Sequence, residues 1–186
     1  VSAPGATSQT GSASASAQAR LMQEFMSAVF GKQFRPASND AVADLPDIKQ
    51  RTQRSPHLIS GVALQKLDDG TMALITNAQL LDQAGNPMDS HASSGLLGVY
   101  LLKNTGSGWQ VLKKHENVAE LGSHGSFGEV DFVTLAPGRP GIVVHSGGTW
   151  QGYTVEDISL FDLTAGTLRD LSGESILFHS DSEGGC

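Results

Sequence analysis

His145-Ser146-Gly147-Gly148 sets an imidazole, a hydroxyl and two glycine N–H groups side by side, and Ile142-Val-Val-His145-Ser146 has a loose echo 34 residues later in Ile176-Leu-Phe-His179-Ser180. Two chemistries use such residues. Ser146 as nucleophile, a histidine as base, Asp157 or Asp131 to orient that histidine and the Gly147 and Gly148 N–H groups as an oxyanion hole would make a hydrolase. His145 and His179 on neighbouring strands, joined by Asp181, Glu183 or Asp157, would instead offer nitrogen and oxygen ligands to a metal. Neither has a supporting motif, since Gly-x-Ser-x-Gly, His-x₃₋₅-His and Cys-x₂-Cys spacings do not occur. Ser123 and His124 are adjacent too, but neighbours on an extended chain point to opposite faces and do not pair directly.

A third candidate is a binding surface. In Thr149-Trp150-Gln151-Gly152-Tyr153 the rings of Trp150 and Tyr153 would give flat faces for a sugar or a peptide, so a carbohydrate or protein ligand is expected at the 147–153 loop. The competing role for Trp150 is to plug the end of a sheet. Glu116, Glu120, Glu129, Asp131, Glu156, Asp157 and Asp162 would serve glycoside hydrolysis if two of them lay ~5 to 10 Å apart, and otherwise form the solvated face of strands. His57, His91, His115 and His124 lie in polar, turn-like surroundings and read as surface residues.

The elements that must position these residues are mostly strands. Leu58, Ser60, Val62 and Leu64 alternate with Ile59, Gly61, Ala63 and Gln65, and Asp68-Asp69-Gly70 turns the chain into Met72, Leu74, Thr76, Ala78 and Leu80, which predicts a hairpin. Residues 95–103 are apolar on both faces and read as a central strand, with 109–113 returning at an edge. Further strands are predicted at 128–135, 141–146, 154–163 and 174–179. Their separators are Pro137-Gly-Arg-Pro-Gly141, Gly147 to Gly152 and Thr164-Ala-Gly166. No helical crossovers fit between them, so the sheet should be antiparallel.

Upstream, Leu21, Met22, Phe25, Met26, Val29 and Phe30 recur at helical spacing and stop at Gly31, predicting an amphipathic helix over about 20–30. Pro36, Pro46 and Pro56 mark residues 32–56 as an irregular connection. Residues 1–19 carry no charge and no large apolar side chain and read as a disordered Ala/Ser-rich leader. Small uncharged residues of this kind follow the cleavage site of a removed signal peptide, so a periplasmic or secreted setting is expected.

The chain has 186 residues, enough for one β-rich domain over 20–186. Residues 57–186 hold six basic and fifteen acidic side chains, a balance that repels phosphate backbones and argues against nucleic acid. The longest apolar run, Gly95 to Leu102, is far short of the ~20 residues of a spanning helix. Cys186 is the only cysteine, so no internal disulfide forms, and Ser-Glu-Gly-Gly-Cys186 directly after an apolar strand reads as a boundary inside a longer chain.

Gly106-Ser-Gly-Trp109, Gly125-Ser-Phe-Gly128, Leu135-Ala-Pro-Gly-Arg-Pro-Gly-Ile142 and Thr149-Trp-Gln-Gly-Tyr-Thr154 resemble uncharacterised exported proteins of Gram-negative bacteria and, more distantly, FG-GAP-type propeller blades, over residues 95–186. Those blades carry a calcium loop of alternating Asp residues before a Gly. This chain has none, so no calcium and no other cofactor is implied. A closed propeller needs about sixteen strands or more, twice what is read here, so the expected fold is a mainly-β antiparallel meander, as a sandwich, an open sheet or a partial barrel, with one N-terminal helix. The expected role is a non-catalytic envelope or secreted binding or structural domain presenting Gly-rich loops. The alternative is a hydrolase or metal-dependent enzyme using His145, Ser146, Asp157 and His179.

Overall fold

The computed structural model describes residues 10–151, 153–164, 167–173 and 175–181, with backbone alone at 10–14 and at Trp150. The fold is mainly β, antiparallel throughout, with one N-terminal helix, α1 (Thr10–Phe30). A first sheet of six strands runs in chain order: β1 (Phe34–Arg35), β2 (Asp40–Pro46), β3 (Arg54–Lys66), β4 (Met72–Leu80), β5 (Gly95–Asn104) and β6 (Trp109–Leu121). A second sheet holds β7 (Glu129–Ala136), β8 (Arg139–Trp150) and β9 (Tyr153–Asp162), with β10 (Arg169–Asp170) and β11 (Ile176–Asp181) sharing the far edge of β9.

α1 begins at Thr10, so it takes in half of the segment expected to be a disordered leader. Ala13, Ala15, Ala17 and Ala19 explain this, because alanine is the strongest helix former and carries no side-chain entropy cost. Phe25, Met26, Val29 and Phe30 form its buried stripe, and the helix stops where Gly31 turns to φ 54°. The stretch 32–56 is not irregular either. Ala41, Ala43 and Leu45 are buried on alternate positions of β2, with Asp44 outward, and Pro46 falls at the strand's last position, where its missing N–H matters least.

The first sheet is covered on both sides. Along β5, Leu96, Tyr100 and Leu102 pack with α1 and with β2, β3 and β4, while Leu97, Val99 and Leu101 pack with Ile142, Val144, Phe161 and Leu163 of the second sheet. The strand expected to be central because it is apolar on both faces does lie between two cores. Phe25 meets Trp109 edge-on at 4.4 Å and Phe30 meets Tyr100 at 5.5 Å, which locks the helix to β5 and β6.

Three strands separate β2 from β6, a distance of about 19 Å in a flat sheet. Yet Asn117 Nδ2 in β6 donates to the Pro46 carbonyl at 3.0 Å, and Arg51 donates to the carbonyls of Asn117 and Glu116 at 3.0 and 2.8 Å. The first sheet must curl around α1 until its margins meet through side chains, without closing a strand ladder.

Candidate functional site

The curl leaves a cleft of about 290 Å³ lined by the start of the β2–β3 turn, the starts of β3 and β5, the end of β4, part of β6 and the loop before β5. Its floor is apolar, from Ile48, Leu80, Met88 and Leu96, and its polar groups are Asp47, Ser55, His57, Ser93, Ser94, Asn117 and Glu120.

A local fault in β6 makes the site. Val99 pairs with His115 and Leu97 with Ala119, so three residues, Glu116, Asn117 and Val118, stand opposite Gly98 alone. The two extra residues form an irregular bulge, larger than the usual two-against-one kind, and bulges re-aim side chains next to binding sites. Asn117 absorbs the turn at φ 45°, a left-handed conformation that asparagine tolerates better than most residues. Gly98 has no side chain to spare there, because a Cβ would lie 2.5 Å from Thr76 Oγ1. Asn117 is 1% exposed, and although its Nδ2 reaches Pro46, its Oδ1 is buried with no partner. Tyr100 Oη, beside Gly98, is buried as well, and burial pushes that phenol far above its ordinary range. The Tyr100 hydroxyl has Thr76 beside it as a partner, so the unpaired acceptor that calls for an explanation is Asn117 Oδ1.

His57 is 4% exposed and is not the surface residue its neighbourhood suggests. It sits between Ala43 and Leu80 in the ladder, on the helix-facing side of the sheet. Its Nδ1 lies 2.7 Å from the Ser55 carbonyl, which can only accept, so Nδ1 carries the proton and Nε2 holds a free lone pair. Burial holds its pKa below the usual histidine value, against the raising effects of the Ser55 carbonyl and Asp44, so the ring is neutral at neutral pH. Asp47 stays ionised well into acid, because the N–H groups of Gln50 and Lys49 stabilise its carboxylate.

The loop wall is clamped from a distance. His124 N and Gly125 N donate to the carbonyls of Ser90 and Ser93, and the His124 ring bridges Asp89 and His91 at 3.0 Å on each side. Asn77 holds the same turn to β4 through Gly125 O and Phe127 N. His91 and His124 are thus brought into one cluster that sequence spacing does not show.

The residues singled out by sequence fall elsewhere. Ser146 and Asp157 are a directly paired couple facing inward, with Ser146 7% exposed, whereas His145 lies on the outward face, its Nε2 3.5 Å from Asp131. His179 pairs with Glu156, which shares the outward face with Ile158, the partner of His145 on the other side of β9. The echo strands β8 and β11 therefore flank β9, and Ser146 does not share a face with either histidine. Among the described residues no group of three or more His, Cys, Asp or Glu is arranged to hold a metal; Glu183 and Cys186 lie outside those residues.

The expected 147–153 loop is a correction. Gly147, Gly148 and Thr149 pair with Glu156, Val155 and Thr154, and Trp150 pairs with Tyr153, so β8 runs on to the tip of a tight hairpin. Glycine suits the ladder here, since a Cβ on Gly147 would lie 2.4 Å from the Val155 carbonyl. Tyr153 is half exposed; Gly152 and the Trp150 side chain lie outside the described residues. Of the carboxylates, Glu120 lines the cleft, Glu116 pairs with Arg54 at 3.5 Å, and Asp162 is held by Arg139 at 2.6 Å and by Thr164.

Set against known proteins, the chain matches no family model, no curated protein and no solved structure. No helix among the described residues is long and apolar enough to cross a membrane.

Proposed function

We propose that this is a non-catalytic binding domain of the bacterial envelope or of a secreted protein, and that it takes a small ligand in the cleft at the open end of its curled sheet. One observation carries the reading: the buried, unpartnered Oδ1 of Asn117, on a residue held in a left-handed conformation by a bulge that lines the cleft. The lining mixes Ile48, Leu80, Met88, Ala92 and Leu96 with seven polar or charged residues, which supports a polar ligand carrying a small apolar part rather than a greasy one. The setting rests on the Ala/Ser-rich leader alone. The second sheet also has an open depression of about 540 Å³ bordered by His145, Ser146 and Asp157, without His179. It is not favoured as a catalytic site, because Ser146 and Asp157 sit on the inward face of their strands and His145 on the outward face.

The test is a small-molecule panel of mixed charge and polarity, read by amide chemical-shift changes in the full chain. Binding at the cleft moves the resonances of His57, Leu96, Asn117 and Glu120 together and leaves those of β7 to β11 in place. A panel whose every hit maps to the second sheet would sink the proposal.

A further inference from the structure

We infer that the ligand of this cleft is a small organic cation, an ammonium group carried on a short apolar body; this rests on the cleft being the binding site. Three observations point the same way. The ionised side chains of the lining, Asp47 and Glu120, are both acidic, and the lining contains no Lys or Arg. The guanidinium of Arg54 is paired with the Asp44 carbonyl and the Glu116 carboxylate. Arg51, bonded to the carbonyls of Asn117 and Glu116, keeps its charge and with Lys49 acts on Asp47, so Glu120 is the main carboxylate left to meet a ligand's charge. The lining offers acceptors in Asn117 Oδ1, which is buried without a partner, and in the Nε2 of His57, whose proton is held on Nδ1; its donors are the serine hydroxyls, which can accept as well.

An ammonium group brings three donors and no acceptor, the complement of such a lining, and its charge is met chiefly by Glu120. A carboxylate or phosphate would face the same two carboxylates and find donors only in the serine hydroxyls. The apolar remainder of the ligand would lie on Leu80, Leu96 and Met88. A cleft of about 290 Å³ is at the small end of ligand pockets, which sets the size at a single ring or a short chain. A free amine and the end of a lysine side chain offer the same group.

The experiment uses the full chain and three isosteric probes, 2-phenylethylamine, 2-phenylethanol and phenylacetate, with Nα-acetyl-lysine amide in a parallel arm. Each is titrated by calorimetry and by amide shifts. The expected result is that an amine binds about tenfold or more tightly than the alcohol, with shifts at His57 and Asn117, that phenylacetate does not bind, and that the amine's affinity falls as salt rises. Glu120→Gln, at an exposed position, lowers amine affinity severalfold with an unchanged melting temperature and leaves alcohol binding as it was. Tighter binding of the lysine derivative than of phenylethylamine supports the inference and names a side chain as the source. Equal binding of alcohol and amine at the cleft, or preference for the carboxylate, overturns the cation and leaves the cleft standing. No shift at the cleft with any probe overturns both.

Discussion

The two sheets share a core and differ in how they are finished. The first has both faces covered, one by α1 and one by its neighbour, and its margins are tied by Asn117 and Arg51. The second is covered on its inner face only, and its last strand, β11, leaves Ile176, Leu177 and Phe178 more than half exposed. Chemistry-bearing residues are densest in the second sheet, yet the cleft with a buried, unpaired acceptor is in the first. Residue type alone does not make a candidate site; here a bulge and a curl bring Asn117, His57 and Glu120 to one place.

The sharpest way to break this contrast is to cut each region at one aromatic. Phe25→Ala empties the concavity of the first sheet and should cost about 3–5 kcal/mol of unfolding free energy, read by urea titration. A loss under about 1 kcal/mol would show that α1 is not part of the folded core.

A second contrast is in pH. His57 has its pKa lowered in the folded state, so the unfolded chain binds the extra proton first. Stability is full above the ordinary histidine value near 6.5 and falls as pH drops through and below it. Asp162, lowered to about 2 from 3.8 chiefly by the Thr164 hydroxyl and Arg139, gives the second sheet stability that is present above 3.8 and lost as pH falls towards 2. Asp162→Asn should therefore cost on the order of 2 kcal/mol at neutral pH and flatten the acid limb only, while His57→Gln flattens the limb nearer neutrality. If both variants changed the same limb, the windows assigned here would be wrong.

The smallest effect is expected at the uncovered edge. Phe178→Ser should change stability by less than about 0.5 kcal/mol, because the ring is 66% exposed. A loss of 2 kcal/mol in thermal or urea melts would mean that this strand is packed after all.

The alternation in 57–66 and 72–80 was readable because large apolar side chains mark one face, and Asp69 and Gly70 mark the turn between them. β2 escaped because its inward residues are two alanines and a leucine between prolines, too small a signal beside the breakers. The cleft was out of reach for another reason. Asn117 meets Pro46 across 71 residues of chain, and His57 is enclosed only when the margins close. One local cue did exist: a polar Asn between Glu116 and Val118 interrupts the pattern of β6, which is where an irregular pairing would be sought.

The misfit opposite Gly98 also separates two properties that usually travel together. Excising the surplus residues from β6 would restore an even ladder and remove a left-handed asparagine, so the shortened chain should gain rigidity; the same excision would take away the amide on which the proposed binding rests. Regularity and the candidate pocket are therefore alternatives at this point of the strand.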